Sequence, residues 1–419
     1  MIIFVAWICS GLLAVFLLVQ FLPVFGIIWT LCRWRRELIS DDECPQAAVV
    51  LVLRGRDPFL SDCIERLLDL DYPHYDVKIV IDHPEDPAWQ AVQEVLDRRP
   101  ESNVQVETLQ VPLKTCTLNC SSLVQAVTGL DNSHKVIGFC DADTNPHASW
   151  LRELVTPLVK DNVDIVTGQR WFMPAKATMG SLVRYVWNAA TFVATAKSSI
   201  WGGSFALTRE CLEGAELVDC WRTCMGSDAM IYPQIRKHGF HLGFVPSVMM
   251  INRETCDLPG FYRWVQRQLL VGRLYLVTFP VVLFHGITST ILLLSASVLL
   301  LYSLVVGSHV AALVIACALS LYFLVNVIVL GMMEVAVRRI ISARDESVGW
   351  IDLRTLIQGL VAVPLSQIVY VSALINAMSL RRFDWRGASY VVDGPWQITL
   401  IEYKPFQPQG QPVDGLTSL

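Results

Sequence analysis

Residues 136–144 read VIGFCDADT: an apolar run that ends on two aspartates one residue apart, Asp141 and Asp143. A short continuous apolar run is the pattern of a strand buried on both faces. Working back towards the N-terminus, the pattern recurs. AAVVLVL (47–53) predicts a strand followed by Arg54, then a helical pattern over Phe59–Leu70. VKIVI (77–81) predicts a strand ending at Asp82, followed by a helix over Pro87–Arg98, a short strand over Val104–Leu109 and a helix over Leu118–Thr128. Strands alternating with helices imply a mostly parallel, Rossmann-like α/β sheet. Such sheets bind ligands outside the carboxyl ends of their strands, where Arg54, Asp82 and Asp141 fall. No GxGxxG or P-loop pattern occurs, so neither a dinucleotide nor an ATP fingerprint is present. A D-x-D pair can grip a hard divalent cation, Mg²⁺ or Mn²⁺, and the cation can neutralise a diphosphate. By itself the pair is weak evidence, since it also caps helices or sits solvated.

The rest of the chain is not that of a soluble protein. Of 419 residues 53% are hydrophobic and 17% charged, against roughly 25% charged in an average soluble domain. The net charge of −5 argues against nucleic acid as a partner, because phosphate contacts need a basic face. Residues 2–31 carry no charge and are long enough to span a bilayer; without a basic n-region or a small-residue cleavage site they read as an anchor rather than a signal peptide. Arg33, Arg35 and Arg36 follow directly, which places the N-terminus outside and the next domain in the cytoplasm. A second apolar block divides into about 281–306, 309–333 and 355–378, with Arg338, Arg339 and Arg344 as a cytoplasmic loop. The last segment carries Gln358, Pro364, Gln367 and Asn376; if it spans, the basic run from Arg381 to Arg386 lies outside, against the charge bias, so a re-entrant or interfacial path is the alternative. Residues 260–280, apolar but holding Arg263, Arg267 and Arg273, suit an amphipathic helix on the membrane surface. The expected organisation is an anchor (1–32), a cytosolic globular domain (33–259), the interfacial helix (260–280), membrane helices (281–380) and a tail (381–419). Twelve cysteines in a cytoplasmic domain stay reduced, and the C-x3-C pairs Cys116/Cys120 and Cys220/Cys224 fit zinc-site spacing poorly.

LRGRDP (53–58), LDYPHYDVKIVIDHPEDPA (70–88), CDADT (140–144), TGQRWF (167–172), WGGSFAL (201–207), GSDAMIYPQIRKHG (226–239), FYRW (261–264) and FDWRGASY (383–390) stand in this order. Together they resemble the family 2 glycosyltransferases of the GT-A fold, in their membrane-bound, ceramide glucosyltransferase-like branch. The resemblance implies a nucleotide-sugar donor, UDP in that branch, and a membrane lipid acceptor. It implies donor contacts from Arg54, Asp82 or nearby Asp86, and a metal-bound diphosphate on Asp141 and Asp143. Asp228 would be the general base of an inverting displacement, with Arg263 and Trp264 as the end of a Q/R-x-x-R-W motif. Trp171, Trp201, Gly202 and Gly203 are acceptor-side candidates; each also has a plain reading, the tryptophans as core and the glycines as a tight turn. Asp86 before Pro87 also reads as a helix cap, and Asp228 as a cap of the helix after it. Three positions depart from the pattern: Gly260 at the Q/R position (unless Gln266-Arg267-Gln268 serves one turn later), Asn119 where the branch has lysine, and Ser227 where an acidic residue is usual. The expected protein is a multi-pass enzyme of a bacterial inner membrane or its equivalent. A processive polysaccharide synthase would show a complete Q-x-x-R-W and more spans. A degenerate scaffold would not keep all four aspartates.

Overall fold

The computed structural model describes residues 1–100, 102–344, 346, 348, 349 and 353–406; the expected tail beyond 406 lies outside the described residues. Helix α1 (Ile2–Arg33) leads into β1 (Ala47–Leu53), α2 (Leu60–Leu68), β2 (Tyr75–Ile81), α3 (Pro87–Leu96), β3 (Val104–Thr108), α4 (Leu118–Thr128) and β4 (Val136–Cys140). Next come α5 (Trp150–Lys160), β5 (Ile165–Thr167), β6 (Arg170–Phe172), α6 (Met179–Thr195) and β7 (Ser204–Thr208). Three short helices, α7 (Arg209–Gly214), α8 (Leu217–Trp221) and α9 (Ile231–Lys237), precede β8 (Leu242–Phe244), β9 (Met250–Asn252) and α10 (Leu258–Tyr275). The long helices α11 (Phe279–Val305), α12 (His309–Ser342) and α13 (Leu353–Ser379) are followed by β10 (Arg382–Trp385), β11 (Ala388–Gly394) and β12 (Gln397–Tyr403).

The strands form one sheet in the order β3-β2-β1-β4-β7-β5-β8. β1 pairs in parallel with β2 and β4, and β2 with β3; β7 alone runs antiparallel, to β4 and β5, while β5 and β8 are parallel. This is the expected mostly parallel α/β sheet. The register sets Leu53 against Ile81 and Leu51 against Cys140, which brings Arg54, Asp82 and Asp141 to one edge. β1 is apolar throughout because both its faces are covered. Leu60, Ile64, Leu67, Ala91 and Trp150 pack on one face; Leu118, Val127, Trp221 and Ile235 pack on the other. Phe139 and Phe205 stack at 4.4 Å across the β4–β7 pair. A second small parallel pair, β6 with β9, sits beside the sheet.

Among the described residues four helices are long and apolar enough to cross a membrane: α1, α11, α12 and residues 357–379 of α13. The last of these is the one for which the charge pattern conflicts, and its ends account for the conflict. Just before it, Arg344 donates to the Ser247 carbonyl of the globular domain, and Arg338 donates to the Gly349 carbonyl. Just after it, Arg273 of α10 donates to the carbonyls of Ala377 (2.7 Å) and Leu380 (2.9 Å), satisfying acceptors that a helix end leaves open. Both ends of α13 therefore return to one domain, and the helix lies along it, packed through Ala362, Val369, Ala373 and Ala377 against α6 and α10. Residues 357–379 thus keep the length and apolar character of a membrane span, while both ends of α13 contact the globular domain. The run Arg381–Arg386 then stays on the same side as the sheet. α12 extends past the expected residue 333 because its last turns, with Glu334, Val337 and Ile341, pack into the domain.

Candidate active site

At the carboxyl edge of the sheet Asp141, Asp143 and Asp228 form an acidic cluster. The tiny β6–β9 sheet positions its cationic counterpart. Arg170 starts β6 and Asn252 ends β9; the Arg170 guanidinium lies 3.7 Å from Asp143, and the Asn252 amide donates to the same carboxylate at 3.1 Å. Asp228 is held by the WGGS turn: the Gly202 N–H donates to Oδ2 at 2.9 Å and the Ala229 N–H to Oδ1 at 2.6 Å. Each carboxylate oxygen keeps a second lone pair, so Asp228 can still accept a proton. A Cβ on Gly202 would stand 3.2 Å from that carboxylate, and one on Gly203 would stand 2.3 Å from the Trp201 ring. The two glycines thus let the backbone close on Asp228.

Burial first, then Asp143, Asp228 and Asp57, push the Asp141 carboxyl up to about 8, with Arg170 opposing. Burial also pushes Asp228 up, against its backbone hydrogen bonds. Carboxylates crowded in this way call for a positive charge. Among the described residues no three His, Cys, Asp or Glu side chains come together as a metal-binding group. Asp141 and Asp143 are the residues that could hold a divalent cation, an oxygen donor set that suits Mg²⁺ or Mn²⁺.

The candidate donor residues divide. Asp82 is 2% exposed; it pairs with Arg54 and accepts from the Tyr403 hydroxyl at 3.1 Å, while its Oδ1 has no partner. Arg54 also donates to the carbonyls of Arg386 and Lys404. Asp86 is a correction: its Oδ1 accepts from the Ala88 N–H at the start of α3 and both oxygens accept from the Gly55 N–H. Buried at 2% exposure, it fixes the loop after β1 and caps α3.

Arg263 is a second correction. It is exposed, whereas Arg267 is half-buried beside Arg386 and Arg170. On a helix Arg267 lies about 60° from Trp264 and Arg263 about 100°. Trp264 is buried against Phe172 and Trp187, so the residue nearer its face is the one that reaches inward. Arg267 lies 5.8 Å from the Trp385 ring, and burial, then Arg386 and Arg170, hold its guanidinium down at about 10. The substitute one turn later is therefore the arginine that lies with Arg386 and Arg170. Arg267→Ala is expected to weaken UDP binding about 10- to 100-fold, as loss of a charge-assisted hydrogen bond does. Arg263→Ala is expected to change it less than about 3-fold; titration of the detergent-purified variants checks both.

Trp171 is the third correction. Side chains alternate along a strand, so Arg170 and Phe172 face the site and Trp171 faces away. It is fully buried and donates to Glu334 at 2.7 Å, and Glu334 also accepts from Tyr185 (2.8 Å) and Arg338 (2.6 Å). Trp171 ties β6 to α12 and is no acceptor platform. Trp171→Phe is expected to lower stability by about 1–3 kcal/mol through the lost hydrogen bond to Glu334, seen as a drop in thermal midpoint with the acceptor KM unchanged. Trp201, by contrast, is half-buried with its ring 5.7 Å from Arg170, and stays a candidate for the acceptor side.

The sequence reading passed over Arg170, Asp57, Glu254 and Arg386. Arg386 pairs with Asp57, and Glu254, buried against Arg184, is pushed up to about 7 by burial and Asp143. Arg170 and Arg386 lie inside the quoted segments TGQRWF and FDWRGASY, which is the one signal that could have found them.

A mostly parallel sheet with a D-x-D pair at its carboxyl edge and a third aspartate held opposite is the architecture of a GT-A glycosyltransferase. The family model described as glycosyl transferase family 21 matches residues 15–396. The chain belongs to that family, which includes the ceramide glucosyltransferases, and is a glycosyltransferase, as the resemblance implies; the family number differs from the family 2 named there. No curated protein matches the chain. Among solved structures it is similar to the mannosyltransferase PcManGT from Pyrobaculum calidifontis in complex with GDP-Man and Mn²⁺, at 15% identity and a TM-score of 0.49, over 88% of this chain and 99% of that one. It is also similar to glucosyl-3-phosphoglycerate synthase from Mycobacterium tuberculosis in complex with Mn²⁺, UDP and glucosyl-3-phosphoglycerate, at 13% identity and a TM-score of 0.37, over 57% of this chain and 84% of that one.

Proposed function

We propose that this glycosyltransferase moves a hexose from a nucleotide sugar, UDP-linked, to the hydroxyl of a membrane lipid, with inversion at the anomeric carbon. One observation carries the lipid reading. Trp264 of α10 lies 5.3 Å from the Arg170 guanidinium and packs in one apolar cluster with Phe261, Leu269 and residues of α6 and α13. The same helix thus borders the carboxylates and the apolar layer from which an amphiphilic acceptor would present its headgroup. With Arg33, Arg35 and Arg36 after α1, the positive-inside rule puts this arrangement on the cytoplasmic face of the membrane.

Asp141 and Asp143 would hold the divalent cation, which supplies charge neutralisation at the departing diphosphate. Arg170 and Arg267 add fixed positive charge on the same side. Asp228, pinned by Gly202 and more basic than an ordinary carboxylate, takes the proton of the acceptor hydroxyl as its oxygen attacks the anomeric carbon. Asp82, through Oδ1, would take a donor hydrogen bond from the base or ribose. The aromatic residues Phe172, Trp264 and Trp201 around Arg170 limit water at the reacting centre, which suppresses hydrolysis of the donor.

The test is donor turnover by the detergent-purified protein with Mn²⁺ or Mg²⁺, a panel of UDP-sugars and total membrane lipid extract. Lipid-dependent UDP release with a glycosylated lipid found by mass supports the reading. A polymer product would favour a processive synthase, and absence of both release and nucleotide binding would favour a scaffold.

A further inference from the structure

The C-terminal hairpin ends in an unusual tip. β10 and β11 pair through Trp385 and Ala388 around a two-residue turn, Arg386-Gly387, with φ of +46° and +83°. Positive φ at both positions is the type I′ turn, for which Asn-Gly and Gly-Gly are the favoured pairs. A long β-carbon-bearing side chain at the first of them is uncommon, and strain of this sort concentrates where a side chain is needed in one place. The side chain here is an arginine delivered to the carboxyl edge of a sheet that is far away in sequence. Its guanidinium forms a two-pronged contact with Asp57, in the loop after β1, and also donates to the Arg54 carbonyl; Arg54 in turn donates to the Arg386 carbonyl. Asp143 and Glu254 are close enough to act on its charge. Arg386 and Arg267 lie 5.5 Å and 5.8 Å from the same indole, Trp385, and Arg170 lies 3.7 Å from Asp143. Three guanidiniums from three separate elements, β6, α10 and the hairpin tip, therefore gather beside one another, and those of Arg170 and Arg386 act on Asp143.

We infer that Arg386 is a donor-binding residue that contacts the diphosphate of the nucleotide, and that the hairpin exists to deliver it. The inference rests on the nucleotide-sugar reading above. The ligand chemistry follows from the group: a planar guanidinium matches two phosphate oxygens at once and is always charged. Three such groups beside a metal-binding pair suit a nucleoside diphosphate better than a monophosphate. The competing role is purely mechanical, in which the Arg386–Asp57 pair only fastens the hairpin to the loop after β1.

Titration of the full-length, detergent-purified protein with UDP and with UMP, each with Mn²⁺, separates the two. Arg386→Gln is expected to weaken UDP about 10- to 100-fold, the size of a lost charge-assisted contact, and UMP less than about 3-fold. Asp57→Asn, which breaks the fastening but keeps the arginine, is expected to weaken UDP less than Arg386→Gln does. Thermal midpoints of both variants show whether the fold is kept. Equal loss of UDP and UMP in both variants would overturn the inference in favour of the fastener, and UDP affinity unchanged in Arg386→Gln would overturn it outright. A wild-type protein that binds neither UDP nor GDP would instead overturn the nucleotide-sugar reading, and this assignment with it.

Discussion

Asp228→Asn is expected to lower the transfer rate by about 10²–10⁴-fold, the range a positioned general base contributes, while UDP affinity stays within about 3-fold. The asparagine can still accept from Gly202 through its carbonyl oxygen, so the turn that carries it is kept. Its amide nitrogen would face the Ala229 N–H or the reacting hydroxyl, and neither orientation leaves a group able to take a proton. Comparing kcat with nucleotide affinity in the same preparation separates a base from a mere turn residue. A variant that retains transfer would remove Asp228 from the role, and one that loses UDP binding as well would make it part of the donor pocket.

The second large effect concerns the D-x-D pair. Asp141→Ala, or chelation of divalent metal by EDTA, is expected to reduce donor turnover by about 10³-fold, since charge stabilisation by a metal is worth several kcal/mol. The same substitution has an unusual consequence for stability. Burial and the charges of Asp143, Asp228 and Asp57 all raise Asp141, so without a cation its charged form is disfavoured in the fold. The thermal midpoint of Asp141→Ala in EDTA is therefore expected to equal or exceed that of the wild type, whereas added Mn²⁺ stabilises the wild type alone. A variant that is inactive and also unfolded would mean that Asp141 holds the fold together rather than the donor.

The parallel sheet was legible because burial on both faces leaves an unbroken apolar run, and the run in β4 ends on the aspartates themselves. Asp141, Asp143 and Asp228 lie together because two of them are neighbours and the third stands next to the glycines that approach it. What stayed hidden depends on orientation. Periodicity alone cannot say which of Arg263 and Arg267 faces inward, because they lie about 40° apart on the wheel; the packing of Trp264 decides it. Trp171 and Arg170 differ by one residue on a three-residue strand, too short for alternation to show. Asp86 reads equally well as ligand and cap until the Gly55 N–H is seen on it. α13 has the composition of a spanning helix, and its two ends also contact the domain: Arg344, Arg338 and Arg273 bind carbonyl groups that no sequence pattern marks. Arg386 needed the fold itself, since its partner is 329 positions away.

That separation bears on how the protein is made. Arg54 emerges from the ribosome early, and the hairpin that completes its surroundings follows 332 residues later, after α1, α11 and α12 have been committed to the bilayer. Domains generally form from the N-terminus during synthesis, so the sheet and its aspartates can assemble before the hairpin brings Arg386 to Asp57. A chain broken off before residue 382 would reach the membrane, keep its anchor and much of its core, and yet hold its donor poorly. Aborted products would then sit inert beside the complete enzyme and draw little on the cell's supply of activated sugar.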